Sequence, residues 1–112
     1  MPELPEVETT MRGLIPALKD KTLVRVIKRR DKIRIPVPED FEKRVEGRKI
    51  TRLERRAKYI RLYLDSDDVI ICHLGMSGKF VIQDRSNDPF AKHDHIIFET
   101  EDDKQIIYNG EK

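Results

Sequence analysis

The first residues of the chain combine a nucleophile with two acids. If Met1 is removed, Pro2 becomes the N-terminal residue and its nitrogen is a secondary amine. An α-amino group has a pKa far below that of lysine, so a useful fraction is unprotonated near neutral pH. Such an amine can attack an aldehydic sugar carbon and form an iminium ion. Glu3 and Glu6 share a helix face and could transfer protons there, although this pattern also simply begins a helix well.

A run of cations follows in the middle of the chain. Arg55, Arg56 and Lys58 fall within four positions, just before a predicted strand at Tyr59. Such cations commonly bind phosphate oxygens, so the run is a candidate phosphate-binding segment. If strand alternation starts at Ala57, Lys58 faces away from Ala57 and Tyr59. The alternative is an exposed basic strand edge, which opposes aggregation.

The segment His73-Leu74-Gly75-Met76-Ser77-Gly78 joins two predicted strands. Gly75 and Gly78 allow a tight connection and a close approach of the backbone to a partner. Met76 would then lie at the tip, where an apolar side chain could enter a duplex and replace an extruded base. The alternative is a methionine that folds back onto the core.

Histidines form the last candidate group. His93 and His95 are two positions apart and share one face of a predicted strand, with Asp94 and His73 as further possible metal ligands. This set lacks the closed spacing of a zinc site, and the single cysteine, Cys72, excludes a Cys-x-x-Cys site within these residues, so we predict no metal. His93 is expected to contact a phosphate or to be structural, and Cys72 to be a buried thiol.

One helix and about seven short strands must position these residues. Apolar residues spaced three and four apart predict an N-terminal amphipathic helix, which Pro16 would kink or end: Leu4, Val7, Met11, Leu14 and Leu18. A minor helix is predicted over 39–45. Alternating patterns predict strands over 22–29, 49–54, 59–64, 69–74, 79–83, 95–100 and 105–108. We therefore expect an α+β fold, an antiparallel β-sandwich of about 7–8 short strands with the first helix packed against it.

Composition limits the class of protein. The 112 residues suffice for one domain, 1–112, and no apolar run or signal pattern points to a membrane or to export, so we expect a soluble cytoplasmic monomer. Residues 19–61 carry 17 basic and 7 acidic side chains, whereas residues 62–112 carry 5 and 11. A polyanion would suit the basic part. The alternatives are a solvated charged face or a small β-domain that binds an acidic protein.

Taken together, these motifs resemble the formamidopyrimidine-DNA glycosylase and endonuclease VIII family, and its glycosylase branch fits better. The resemblance runs from Met1 to about Asn109 and rests on Met1-Pro2-Glu3-Leu4-Pro5-Glu6-Val7-Glu8-Thr9, Arg55-Arg56-Ala57-Lys58-Tyr59, His73-Leu74-Gly75-Met76-Ser77-Gly78 and Lys92-His93-Asp94-His95. It implies a bacterial base-excision repair enzyme that acts on damaged double-stranded DNA. Such an enzyme removes oxidised purines (8-oxoguanine, formamidopyrimidines) and cleaves the strand by β,δ-elimination as an AP lyase.

The resemblance also implies residue roles. Pro2 is the nucleophile that forms a Schiff base with C1′, Glu3 is the acid/base at the sugar, and Glu6 belongs to the same acidic site. Lys58 contacts DNA near the lesion and assists elimination. The residues expected to bind DNA are Arg56, His73, Met76, which fills the gap left by the flipped base, and His93.

The chain also departs from the family pattern. Tyr108-Asn109 is followed by Gly110-Glu111-Lys112, where the family has Asp-Pro-Arg-Arg-Phe-Gly. The arginine and phenylalanine that accompany the methionine wedge are thus absent from these residues, and so are the helix–two-turn–helix module and the zinc finger. No cofactor is expected within the 112 residues. The alternative function is a catalytically inactive fragment that binds DNA weakly and electrostatically, and retention of Met1 would favour it because Pro2 would then be an amide.

Overall fold

The computed structural model describes residues 4–29, 39–74 and 78–110, which form two helices and seven strands. The helices are α1 (Leu4–Leu18) and α2 (Phe41–Val45). The strands are β1 (Leu23–Lys28), β2 (Ile50–Arg56), β3 (Tyr59–Leu64), β4 (Val69–His73), β5 (Lys79–Asp84), β6 (Asp94–Thr100) and β7 (Lys104–Asn109). Every predicted element is present, and the boundaries differ from the predicted ones by at most two residues.

The strands form two antiparallel sheets. One has the order β1-β6-β7-β5 and the other the order β2-β3-β4. Register shifts of one residue mark β-bulges at Val24 in β1, Thr51 in β2 and His95 in β6. The predicted α+β sandwich with an N-terminal helix and a minor helix is therefore confirmed.

The apolar stripe of α1 packs into the core, as its spacing predicts. Val7, Met11, Leu14 and Leu18 are buried, and the helix continues through Pro16 to Leu18. Proline removes one intrahelical N–H bond, but Pro16 faces solvent, and beyond it the amide of Lys19 donates to the Ile15 carbonyl at 2.9 Å. The last turn of α1 thus survives the proline.

A single core cluster joins both sheets and both helices. It draws on α1, on Val45 of α2, on Leu62 of β3 and on Phe98 of β6. The rings of Phe41 and Phe98 lie 6.4 Å apart and attach α2 to the four-stranded sheet. Among the described residues, no helix is long and apolar enough to cross a membrane.

Candidate functional site

Most of the predicted site residues meet at one end of the sandwich, here called the candidate end. In the three-stranded sheet Arg56 lies opposite Tyr59, and Tyr59 lies opposite His73. In the other sheet Asn109 lies opposite both Lys79 and Asp94. The Tyr108 hydroxyl donates to the His73 carbonyl at 3.1 Å and so connects the two sheets. The candidate end therefore collects the ends of β2, β4 and β7 and the beginnings of β3, β5 and β6.

Helix α1 begins at the same end. Its C-terminal side lies at the opposite end, where the amide of Asp20 donates to the Ile50 carbonyl at 2.7 Å. Near its first turn, Glu8 contacts Arg55 at the end of β2. The helix therefore runs antiparallel to β2, and its beginning lies beside the β2–β3 turn. Pro2 and Glu3 precede this turn of helix in the sequence and lie outside the described residues.

An ion pair connects α1 to β2. The Arg55 Nε donates to Glu8 Oε1 at 2.6 Å, and Arg12 donates to Glu8 Oε2 at 3.2 Å. The hydrogen bond from Arg55, more than the one from Arg12, holds the pKa of the Glu8 carboxyl below its ordinary value. Arg55 also donates to the Ala57 carbonyl at 2.9 Å. Arg55 therefore makes its hydrogen bonds within the protein. Arg56 and Lys58 remain as the candidate phosphate-binding residues of this segment.

Lys58 lies in a turn rather than in a strand. Strand β2 extends to Arg56 and β3 begins at Tyr59, so Ala57 and Lys58 are the two loop residues of a hairpin. Ala57 has a φ of 52°, which is uncommon for a residue other than glycine. The alternation that would have set the direction of Lys58 does not apply here. The turn nevertheless brings the half-buried Lys58 to the candidate end, next to the exposed Arg56.

The end of β4 brings His73 to the same place. The imidazole packs against the ring of Tyr59 with centroids 4.9 Å apart. Gly78 lies where the chain turns back: its amide donates to the Leu74 carbonyl at 2.7 Å, and a Cβ there would lie 2.1 Å from that oxygen. The predicted need for glycine at this position is thus confirmed. Met76 lies outside the described residues.

The histidine pair is part of a network of backbone contacts. The His95 Nε2 lies 2.5 Å from the Gly110 carbonyl oxygen, and the Gly110 amide donates to the His93 carbonyl at 3.1 Å. The rings of His93 and His95 are 6.3 Å apart. His95 is buried, whereas His93 is half-buried and its Nδ1 makes no hydrogen bond within the described part of the chain. His93 precedes β6 and His95 occupies a bulge, so the regular strand alternation assumed for this pair does not apply.

Within the described residues, the carboxylate of Asp94 accepts structural hydrogen bonds. Its carboxylate accepts from the Ala91 amide at 2.9 Å and from the Asn109 side chain at 2.7 Å. Arg29 donates to the carbonyls of Ala91 and Asp94 at 2.6 and 2.8 Å. Within ranges 4–29, 39–74 and 78–110, no three His, Cys, Asp or Glu side chains are grouped as metal ligands.

Cys72 lies on the core side of β4. Its thiol packs against the core cluster, and burial raises its pKa to about 12. The prediction of a buried thiol holds only in part, because Cys72 packs against the core but is half-buried as a residue.

Glu6 lies in the first turn of α1 and is exposed. The structure therefore places Glu6, Arg56, Lys58, His73 and His93 at the candidate end. Sequence reasoning missed the supporting roles of Glu8, Arg29 and Asn109. The role of Glu8 could have been suspected, because two positions along a helix place it on a different face from Glu6. An acidic side chain near a basic strand also often forms an ion pair with it. Nothing local to Arg29 or Asn109 indicated their contacts.

Comparison with known proteins identifies the family. The sequence model described as the formamidopyrimidine-DNA glycosylase N-terminal domain matches residues 1–112. A formamidopyrimidine-DNA glycosylase of Caulobacter sp. (strain K31) is 45% identical over 119 residues, which cover 96% of this chain and 42% of the relative. A formamidopyrimidine-DNA glycosylase of Sinorhizobium fredii is 46% identical over 124 residues, which cover 97% of this chain and 42% of the relative. The chain thus spans about two fifths of the length of these curated relatives.

Solved structures agree with the sequence comparison. The Lactococcus lactis Fpg in complex with abasic-site-containing DNA matches with a TM-score of 0.82 at 31% identity, over 97% of this chain and 40% of that one. The same protein in complex with FAPY-dG-containing DNA matches with a TM-score of 0.82 at 31% identity, over 96% of this chain and 40% of that one. The predicted family is confirmed: this chain belongs to the formamidopyrimidine-DNA glycosylase family and corresponds to its N-terminal domain.

Proposed function

We propose that the parent protein of this chain is a base-excision repair enzyme, a DNA glycosylase and AP lyase for oxidised purines in duplex DNA. The observation that carries the proposal is the candidate end itself. The beginning of α1, the Ala57-Lys58 turn, the end of β4 and the histidine network are brought there from distant parts of the sequence. The relatives matched by the chain are glycosylases, and the solved neighbours hold damaged DNA.

The proposed chemistry begins at Pro2. Once Met1 is removed, the Pro2 nitrogen attacks C1′ of the damaged nucleotide, and the bond from C1′ to the base breaks. The bond from C1′ to O4′ then breaks as O4′ takes a proton, and the iminium ion so formed acts as an electron sink for loss of a proton from C2′ and for elimination of the phosphates. Glu3 transfers protons at the sugar, and Glu6 adds to the same acidic site.

Basic residues at the candidate end are proposed to hold the DNA. Lys58 approaches the backbone near the lesion and assists elimination, while Arg56, His73 and His93 contact the strand. Met76 is proposed to fill the gap left by the flipped base, since a base must leave the stack before its glycosidic bond can be reached. We propose a monomer that needs no metal or cofactor within these 112 residues.

Borohydride trapping tests the nucleophile. A sample from which Met1 has been removed is incubated with abasic duplex DNA and reduced, and the expected result is a covalent protein–DNA adduct. Its mass, measured after digestion, should place the attachment at the N-terminal peptide.

Two controls make the test specific. Pro2→Gly keeps an N-terminal amine but loses the secondary amine, and it should trap less adduct. Retention of Met1 should abolish trapping through Pro2. An absent adduct in the Met1-free sample, or equal trapping by Pro2→Gly, would contradict the assignment of Pro2.

A second candidate function is weak electrostatic binding of duplex DNA without the chemistry. The observation that favours it is the pair of basic side chains at the candidate end, Arg56 and Lys58, which can contact phosphates without any reaction. Binding through phosphate contacts alone should weaken steeply as salt increases. Tight duplex binding that is insensitive to salt would contradict this second function.

A further inference from the structure

The solvent side of the three-stranded sheet, here called the outer face, consists of regular rows of side chains. Strand register places its residues in three rows across β2, β3 and β4. Their neighbours in each strand, among them Leu53, Ile60 and Ile70, pack on the core side. The rows are Arg56–Tyr59–His73, Glu54–Arg61–Ile71 and Arg52–Tyr63–Val69.

Cations and planar rings alternate on this outer face. It carries three arginines against one acidic side chain, Glu54. The guanidinium of Arg52 lies 4.1 Å from the ring centre of Tyr63. Tyr59 is 45% exposed, and Ile71, at the centre of the face, is 62% exposed. An exposed isoleucine beside arginines offers apolar area that no described residue covers.

The planar groups are held in place. The Tyr63 hydroxyl donates to Glu54 at 2.9 Å, and Arg52 lies 3.6 Å from the same carboxylate. Glu54 therefore orients one ring and one guanidinium and also lies opposite Arg61 in its own row, so the three arginines of the face outnumber its one acid. Tyr59 packs against His73 in the first row. Adjacent rows are two residues apart along a strand, which is about 6.7 Å.

We propose that the outer face binds a single-stranded segment of nucleic acid, with bases stacked on Tyr59 and on the Arg52–Tyr63 pair. Sheets that bind single strands combine aromatic platforms with cations that follow the backbone, and this face has both. The face meets the candidate end at the row of Arg56 and His73. Binding there does not depend on Pro2, so the inference goes beyond the proposed function.

Other occupants fit the face less well. Duplex DNA keeps its bases stacked on each other, so the rings would have no base faces to contact. An acidic peptide would satisfy the arginines but would leave the ring faces unused. A second copy of this chain would place arginines opposite arginines, which is unfavourable.

The test uses fluorescence anisotropy with a labelled oligothymidylate of about 12 nucleotides, within the site sizes of single-strand binders. Ile71→Glu puts a carboxylate at the centre of the face, and its exposure means that the fold should tolerate the change. Ile82→Glu is the matched control, because Ile82 is exposed on β5 of the other sheet. We expect Ile71→Glu to weaken binding at least about tenfold, and Ile82→Glu to change it less than about twofold.

A second pair of variants isolates stacking. Tyr59→Ala should weaken oligothymidylate binding roughly fivefold or more, whereas Tyr59→Phe, which keeps the ring, should retain it. A loss of affinity that is equal in both tyrosine variants would overturn the stacking contact.

Further outcomes are decisive. Equal effects of Ile71→Glu and Ile82→Glu, competition by polyglutamate as effective as by unlabelled oligothymidylate, or a dimer in sedimentation that Ile71→Glu dissociates would each overturn the proposal. Ile71→Glu should still form the borohydride adduct with abasic duplex. Loss of single-strand binding with intact trapping separates this inference from the proposed function.

Discussion

At the scale of single residues, the contact between Glu8 and Arg55 holds the candidate end together. Each lies in a motif whose other members could do chemistry, yet the two side chains bind each other at 2.6 Å. Their pairing fixes the beginning of α1 against the end of β2. Because Pro2 and Glu3 precede this helix in the sequence, the contact matters for the proposed site although neither partner would react.

Replacing Glu8 tests this role. Arg55 holds the pKa of Glu8 below its value in the unfolded chain, so the pair stabilises the fold above that unfolded value. The contribution is lost as the pH falls through the lowered pKa. Glu8→Gln should therefore lower the urea midpoint at neutral pH, and the difference from the unsubstituted protein should narrow as the solution becomes acidic. A difference that stays constant across this range would contradict the ion pair, and Glu6→Gln is the control.

The residue roles differ in how far the sequence could predict them. The motif residues Lys58 and His73 were predicted to act together, and the structure brings both to one end through strand register. The role of Arg55 was predicted incompletely, because a run of cations does not reveal which member has an acidic partner 47 positions away. The side-chain direction of Lys58 also required the turn to be known.

At the scale of elements, α2 protects the edge of a sheet. β1 is an edge strand of the four-stranded sheet, and its outward amides would otherwise be open to another strand. Glu46 accepts from the Val26 amide at 2.9 Å, and Glu42 accepts from the Lys28 amide at 2.9 Å. The short helix and Glu46, the residue that follows it, therefore supply side-chain acceptors in place of a neighbouring strand.

Replacing Glu46 tests this protection. Val26 is 2% exposed, so Glu46→Ala would take the acceptor away from an amide on a largely buried residue. We expect the free energy of unfolding to decrease by about 1–3 kcal/mol. Glu46→Gln keeps an acceptor oxygen and should cost less, and both are measured by urea unfolding. An equal loss in the two variants would show that the amide bond is not the cause.

At the scale of the whole molecule, the charge asymmetry of the sequence is partly cancelled. Arg44 lies 2.7 Å from Asp68, and Arg48 lies 4.0 Å from Asp65, so basic residues of the middle segment meet acidic residues of a later turn. These pairs lie at the end of the sandwich opposite the candidate end. The cations that remain for a polyanion are therefore fewer than the sequence implies, and they include Arg56 and Lys58.

The core cluster joins α1 to both sheets, so the chain should unfold as one unit. Leu14 is 1% exposed, and Leu14→Ala should lower the free energy of unfolding by about 2–5 kcal/mol. Far-ultraviolet circular dichroism and tyrosine fluorescence should shift together in urea. Val24→Ala is the control, because Val24 is 56% exposed and should matter little. A helix signal lost before the tyrosine signal would contradict the predicted single domain, 1–112.

The sequence alone determined the elements, because helical and alternating periodicities reflect which side of each segment is buried. The stripe of α1 and the patterns of all seven strands were sufficient for that. It also determined the family, because the N-terminal octapeptide and the motifs near Lys58, Gly78 and His93 are specific in type and order.

Only the tertiary structure decided which side chains meet. The pairing of Glu8 with Arg55, the contacts of Arg29 with the beginning of β6, and the rows of the outer face join residues far apart in the sequence. Such contacts depend on strand order and register, and on bulges such as that at His95. Local periodicity carries no information about these features, since any order of the same strands would satisfy the same pattern of burial.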